Sequence, residues 1–347
     1  MPAPSPLHLT APFVRLAEDR AAEVLATSHG LVVEQVDRLQ TERDDTFRVL
    51  TGRGSFVAKF AHPLDNEGVL GEQVAVLDAL AHAHALLPVQ RVLPALDGAL
   101  LTSIDDGAGH QRLLRVLTFL DGEPLGAAPR SLTAIRALGA LHADLAAAIA
   151  AIGEAAHPPL QGAPTPWNLL AVEQYGPLAD ELHDATLRRE VEHVIDRAQD
   201  AVLPRARALP AVLAHNDLHG DNVLVRAEPF AITGVLDFGD MTRTPRVADL
   251  AVAASYARGR VGEEREPWVA ARAYVAGFES QQPLTPEEHA LLPELVLLRL
   301  AQRAILNSAI AAANPAATPY ASRNLSAIAR DVRELGSSIP STIGASP

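Results

Sequence analysis

Between His215 and Asp240 the chain reads His-Asn-Asp-Leu-His-Gly-Asp-Asn-Val-Leu-Val-Arg-Ala-Glu-Pro-Phe-Ala-Ile-Thr-Gly-Val-Leu-Asp-Phe-Gly-Asp. Two acidic clusters lie about one β-hairpin apart. The first holds Asp217 and, five residues on, Asn222; the second is Leu236-Asp237-Phe238-Gly239-Asp240. An aspartate, an amide and a second carboxylate at this spacing suit metal-dependent phosphoryl transfer. One group orients a hydroxyl, and two side-chain oxygens hold Mg²⁺. Asp217 is therefore expected as the catalytic base or orienting acceptor. Asn222 and Asp237 are expected as metal ligands.

A distant stretch supports this reading. Ser55-Phe56-Val57-Ala58-Lys59-Phe60 is an alternating, β-prone run, and Lys59 is the only lysine in the sequence. A compact ammonium on a flexible stem suits phosphate oxygens. Lys59 is expected to meet the phosphates of a nucleotide, ATP or GTP. Glu72, favoured over Glu67 on the following helix, is expected to aim it.

Composition narrows the classes. At 347 residues, two lobes are expected. There is no cysteine, so a disulfide framework, a thiol nucleophile and a Cys-ligated zinc site are excluded. No basic region followed by an apolar run opens the chain, and a cytoplasmic location is expected. The most apolar C-terminal segment is interrupted by Glu294, Arg299 and Arg303, so no membrane span is expected. A formal net charge of −13 argues against a nucleic-acid partner. The sequence leaves the oligomeric state open.

Periodicity and turn signals predict an α+β chain. A helix is expected over 11–29, closed by Gly30. Strands are expected over 31–39, 46–50 and 55–60, the last two joined through Thr51-Gly52-Arg53-Gly54. A helix over 66–84 and strands over 89–95, 99–104 and 111–117 complete a small antiparallel sheet lobe with one helix, residues 1–117. Residues 118–122 read as a hinge, and Thr118 and Leu120 there are expected to face the nucleotide. Residues 123–335 form a larger, mainly helical lobe with helices over 131–151, 176–208 and most of 264–335. Residues 336–347 read as a disordered tail.

Other residues have more than one reading. Thr46, with Arg43, is expected to help cradle phosphate, because the segment 39–47 contains no glycine and no GxGxxG loop exists. Asp249 either caps a helix after Pro245 or braces the catalytic loop through its backbone amides. His82 and His84 read as surface histidines. His215, Asp217, His219 and Asp221 alternate, which on a strand would place all four on one face and would suit a metallohydrolase. That rival leaves Lys59 and the Leu-Asp-Phe-Gly-Asp run unexplained. A catalytically idle nucleotide-binding regulator is a further alternative, opposed by the intact Lys59, Asp217, Asn222 and Asp237.

The set HxDxxxxN (215–222), LDFGD (236–240), Pro245 through Asp249-Leu250-Ala251 and the upstream Val57-Ala58-Lys59 resembles the aminoglycoside phosphotransferase and choline kinase family over nearly the whole chain. The resemblance implies a two-lobed, protein-kinase-like fold and a Mg²⁺-dependent kinase acting on a small-molecule hydroxyl. No Ala-Pro-Glu element follows, unlike protein kinases. Several segments are similar to the hydroxylysine kinase branch. They are Glu42-Arg43-Asp44-Asp45-Thr46-Phe47, LDFGDM (236–241), His157-Pro158-Pro159-Leu160, Trp167-Asn168-Leu169, Gly277-Phe278, Pro283 to Glu288, and Arg299-Leu300. Thr46 stands where that branch usually has asparagine, and Asn168 where it has aspartate. The branch implies hydroxylysine or another amino alcohol as acceptor, with an aminoglycoside, homoserine or another small alcohol as alternatives. An amino-acid-like acceptor needs a carboxylate for its ammonium and a guanidinium for its carboxylate. Asp240, Trp167 and one of Arg299 or Arg303 are therefore expected to line its pocket.

Overall fold

A computed structural model describes residues 13–41, 44–107, 109–127, 131–257, 261, 266–313 and 325–343. Arg43 and the last four residues of the tail lie outside them. The fold is a protein-kinase-like α+β arrangement that divides into two units. One unit is Ala11–Gly122 with Thr233–Gly239, and the other holds Glu123–Ile232 and Asp240–Pro347. The first is discontinuous. Residues 233–239 were expected in the larger lobe, but they pack with the sheet. Val235 donates its N–H to the Pro88 carbonyl at 2.6 Å and bridges Val89 in parallel.

The sheet unit opens with helix α1 (Glu18–His29), which begins later than expected and closes at Gly30. Gly30 is left-handed at φ 63°, and its amide returns to the Ala26 carbonyl at 3.1 Å. Strands β1 (Val33–Leu39), β2 (Asp45–Thr51), β3 (Gly54–Phe60) and β6 (Gln111–Thr118) follow one another across the sheet, all antiparallel. The expected strands 89–95 and 99–104 shrink to β4 (Val92–Leu93) and β5 (Thr102–Asp105), both paired to β6. Helix α2 (Glu67–Ala83) starts where the Asn66 side chain accepts the Val69 amide at 3.2 Å. Its buried stripe is Leu70, Gln73, Val74, Leu77 and Leu80, with one glutamine among the apolar residues.

Asp44, in the bend before β2, and Asp45, the first residue of the strand, meet different partners. Asp45 enters the core, where Arg112 Nη1 reaches its carboxylate at 2.8 Å and the Leu16 amide donates at 2.9 Å. Arg38 pairs with the same carboxylate. Burial works to raise the Asp45 carboxyl, but the Leu16 amide, Arg112 and Arg38 outweigh it and hold it below the usual carboxylate range.

In the helical unit, α3 (Leu132–Ala155) and α7 (Val269–Glu279) cross through a reciprocal pair of glycines. A Cβ on Gly139 would lie 2.0 Å from the Tyr274 carbonyl oxygen, and one on Gly277 would lie 2.0 Å from that of Arg136. The helix expected over 176–208 is broken. A 3₁₀ helix spans Leu169–Glu181, α4 spans Ala185–Arg197, a π turn covers Ala198–Val202, and α5 is Leu203–Arg207. Pro177 and Pro204 lack the amide that would continue an α-ladder, and Asp184 starts α4 by accepting the Thr186 and Leu187 amides. Helix α6 (Arg246–Tyr256) and α8 (Pro286–Ala313) fill the core of this unit, and α9 (Leu325–Gly336) follows. By length and composition alone α3 and α8 reach what a membrane span needs, a test that buried core helices also pass. Each spends much of that apolar surface inside the fold, α8 with 78% of its most apolar window buried. The tail also differs from expectation. Ile343 is fully buried, and the Thr342 carbonyl accepts from Arg272 at 3.3 Å.

Candidate active site

In the helical unit, β7 (Ala211–Ala214) and β8 (Val223–Arg226) flank the loop 215–222. The loop is irregular, so His215, Asp217, His219 and Asp221 do not share a strand face. Asn216 takes a left-handed conformation at φ 63°, a cost of about 1–3 kcal/mol for a residue with a side chain. A buried scaffold holds it there. The Asn216 amide donates to Asp249 at 2.8 Å, and Asp249 faces His142 Nε2 at 2.9 Å. The other ring nitrogen, Nδ1, lies 3.0 Å from the Tyr274 hydroxyl. Burial drives the Asp249 carboxyl up, but His142, His215 and the Asn216 amide bring it below its ordinary value. Of its two readings, Asp249 takes the bracing one.

Both oxygens of Asp217 are engaged. Oδ2 accepts from Asn222 Nδ2 at 2.8 Å and lies 3.4 Å from His219 Nε2. Oδ1 lies 3.6 Å from Arg299 Nη2. Asn222 Nδ2 also donates to the Asp217 carbonyl at 2.9 Å, which commits the amide nitrogen and leaves the amide oxygen as the donor a hard cation would need. His219 stacks on Tyr256 with ring centroids 4.6 Å apart. Arg303 covers the same tyrosine ring, its guanidinium 4.0 Å from the centroid. Burial opposes charge on His219, but Asp217, helped by Tyr256 and Asp221, raises it to about 9.

The expected acceptor residues form one connected group with Asp217. Thr165 donates its hydroxyl to Asp240 at 2.6 Å and accepts the Trp167 amide at 3.1 Å. Arg299 Nη1 donates to the Trp167 carbonyl at 2.8 Å, and its guanidinium lies 5.1 Å from the indole ring centre. Gln302, one turn on, holds the carbonyls of Pro166 and Asn168 at 2.9 and 3.1 Å. Arg299 is thus a buried tie between Asp217 and the Trp167 loop, whereas the sequence suggested an open clamp for a carboxylate. Arg303, nearly buried over Tyr256, is likewise spent inside the fold. The Asn168 side chain caps the 3₁₀ helix by accepting the Leu170 amide at 3.0 Å. Its substitution for aspartate therefore alters a helix cap.

In the sheet unit, Lys59, Gln73, Leu77, Gln90, Arg115, Leu117, Asp237 and Phe238 line a small pocket. Lys59 Nζ lies 4.0 Å from Asp237 Oδ1 and 3.9 Å from Asp44 Oδ2. The carboxylate expected beside Lys59 was Glu72. Among the described residues its ion pairs are to Asp44 and Asp237 instead. Rotation along α2 explains the difference, because Gln73 occupies the inward stripe and Glu72 is its half-buried neighbour. Gln73 donates to the Gly239 carbonyl at 3.3 Å, so α2 grips the Asp237 loop through an amide. Asp237 has a left-handed φ of 58°, and its Oδ1 accepts the Gly239 amide at 3.1 Å. Its side chain is 51% exposed, a hard oxygen donor turned outward.

The other expected nucleotide residues are more enclosed. Thr46 pairs across the strands with Lys59, but its hydroxyl is buried and makes no hydrogen bond among the described residues. Thr118 uses its carbonyl on Gln90 at 3.1 Å, and its hydroxyl accepts the Arg91 amide at 2.9 Å. It fastens the sheet edge. Leu120 is half-buried beyond β6. Among the described residues, no group of three or more His, Asp or Glu side chains is placed to hold a metal ion, and the irregular loop lacks the strand face on which the metallohydrolase reading placed its four residues.

Sequence reasoning passed over Gln73, Asp44, Arg115 and Gln302. Gln73 alone left a signal, as a polar residue in an apolar helical stripe. The others matter through contacts with residues far away in sequence.

Comparison with known proteins agrees with this geometry. Residues 37–291 match the APH family, described as a phosphotransferase enzyme family. The hydroxylysine kinase of Danio rerio is 26% identical over 298 residues, covering 84% of this chain and 83% of the relative. That of Mus musculus is 28% identical over 312 residues, covering 83% and 81%. Among solved structures, an amicoumacin kinase in complex with AMP-PNP, Ca²⁺ and Ami superposes with a TM-score of 0.69 at 17% identity, covering 94% of this chain and 95% of the other. A microcompartment-associated aminopropanol kinase gives 0.62 at 20% identity, covering 89% and 98%. At these identities the structural likeness establishes the fold.

Proposed function

This chain belongs to the phosphotransferase enzyme family and is a small-molecule kinase, and from that premise we propose that it transfers the γ-phosphate of ATP or GTP to the hydroxyl of an amino alcohol, with hydroxylysine the leading acceptor. The observation that carries the reading is the fixed Asp217. Asn222, His219 and Arg299 engage its carboxylate, and Asp249 pins the loop behind it. Phosphoryl transfer asks mainly for positioning and electrostatic stabilisation, and a carboxylate held this way orients a hydroxyl and accepts its proton. Lys59 is assigned to phosphate oxygens of the donor. Asp237 and Asn222 are assigned as ligands of Mg²⁺, whose oxygen preference their side chains meet; when bound, the cation neutralises phosphate charge. The acceptor assignment is supported by the hydroxylysine kinases similar over most of this chain. Asp240, tied to Trp167 through Thr165, is assigned to the acceptor's ammonium. A cytoplasmic enzyme acting on small molecules fits the cysteine-free, acidic composition.

The test is a nucleotide-consumption screen of the purified protein with Mg²⁺. ATP and GTP are each offered with hydroxylysine, aminopropanol, homoserine, choline and several aminoglycosides. Hydroxylysine should give the highest kcat/KM. Preference for an aminoglycoside would move the acceptor within the family, and no Mg²⁺-dependent consumption with any acceptor would end the proposal.

A further inference from the structure

Lys59 is the sole lysine of the chain, and the question is what aims it. Its cross-strand neighbours are Thr46 on β2 and Arg115 on β6, so the three side chains form a row on one sheet face. Asp44, two residues before Thr46, reaches the same row from the bend that precedes β2. Its carboxylate Oδ2 meets Arg115 Nη2 at 3.0 Å and Lys59 Nζ at 3.9 Å. All three side chains are largely enclosed, at 12% exposure for Asp44, 7% for Arg115 and 16% for Lys59.

We propose that Asp44, itself held by Arg115, is the positioning residue that aims Lys59 towards Asp237. It takes the part expected of a carboxylate on helix α2. The inference rests on the reading of Lys59 as the phosphate-binding cation. A lysine stem has many rotamers, and an ion pair to Asp237 alone would be weak because that carboxylate is half-exposed and screened. Asp44 differs in both respects. It is shielded from water, and a charge-assisted hydrogen bond to a guanidinium on the next strand but one fixes it. Without its charge, Lys59 and Arg115 would face each other as like charges on paired strands, an unfavourable arrangement. Repulsion would then turn the ammonium away from the row.

The test compares Lys59→Met, Asp44→Asn, Asp44→Glu and Glu72→Gln in the full chain. MgATP consumption is measured with hydroxylysine and with water alone as acceptor, and binding of the nucleotide and thermal melting are measured alongside. Asp44→Asn should lower kcat about tenfold with KM for MgATP changed by less than about threefold, because aim is lost more than binding. Melting should fall for Asp44→Asn but leave it folded at the assay temperature, so that kcat is read on native protein. Asp44→Glu should recover most of kcat, and Glu72→Gln should lose less than Asp44→Asn. Wild-type kcat in Asp44→Asn alongside a disabled Lys59→Met would overturn the positioning role while leaving the kinase reading intact. So would a larger loss in Glu72→Gln. Tighter nucleotide binding in Asp44→Asn would overturn it too, since Asp44 would then be competing with phosphate. Full turnover in Lys59→Met would bring down the assignment of Lys59 and this inference with it.

Discussion

Asp217 and Asp237 both lie in loops that leave a β-strand, and a left-handed residue marks each loop, Asn216 in one and Asp237 itself in the other. The fold treats them differently. Asp217 is braced by an amide, an imidazole and a guanidinium, with buried side chains behind them. Asp237 is half-exposed, held by the amide of Gly239 and approached by Lys59. A group that must orient a reacting hydroxyl gains from a rigid surround. A group that must accept a cation keeps its oxygens open. The contrast matches the two roles proposed.

The strongest challenge to this contrast is Asp217→Asn. Turnover should fall by about 10²–10⁴-fold while nucleotide affinity is retained, since the amide cannot accept the proton but keeps the shape. Steady-state rates and nucleotide titration check it, and near-wild-type turnover would remove Asp217 from its role. Asp237→Ala should instead act through the metal. The Mg²⁺ concentration needed for half-maximal rate should rise about tenfold or more, read from a metal titration. An unchanged Mg²⁺ dependence would place the metal elsewhere.

Arg299→Ala tests the brace itself. It leaves the Trp167 carbonyl without its guanidinium, and it should cost about 2–4 kcal/mol in chemical denaturation and lower kcat. Arg299→Gln, which keeps an amide donor, should recover part of the stability. Equal stability of Arg299→Ala and wild type would show that the Trp167 loop holds without it.

The smallest effect concerns pH. His219 titrates near 6.5 in an unfolded chain and at about 9 here, raised by Asp217 against the opposing effect of burial. A folded value above the unfolded one means that its stabilising contribution is complete below about 6.5 and is lost as pH rises through about 9. Melting temperature should therefore decline across that interval in wild type and decline less in His219→Gln. Identical pH profiles for the two proteins would separate His219 from Asp217.

The sequence by itself determined the class of protein and much of its local structure. The residues HxDxxxxN and LDFGD, the lone Lys59, the hairpin at Thr51–Gly54 and the Gly30 helix stop are local signals, because turn geometry and side-chain chemistry act within a few residues. Only the tertiary structure decided what each charged group faces. Arg299 and Arg303 read as a clamp for a ligand, yet they are enclosed, one against Asp217 and Trp167 and the other against Tyr256. Asp44 and Asp45 are adjacent, yet one faces Lys59 and the other Arg112 in the core. Asn168, which stands where the similar branch has aspartate, serves as a helix cap. The physical reason is common to all three. A charge or amide is satisfied by whatever partner the fold brings within about 3 Å, and partners distant in sequence leave no periodic trace along the chain.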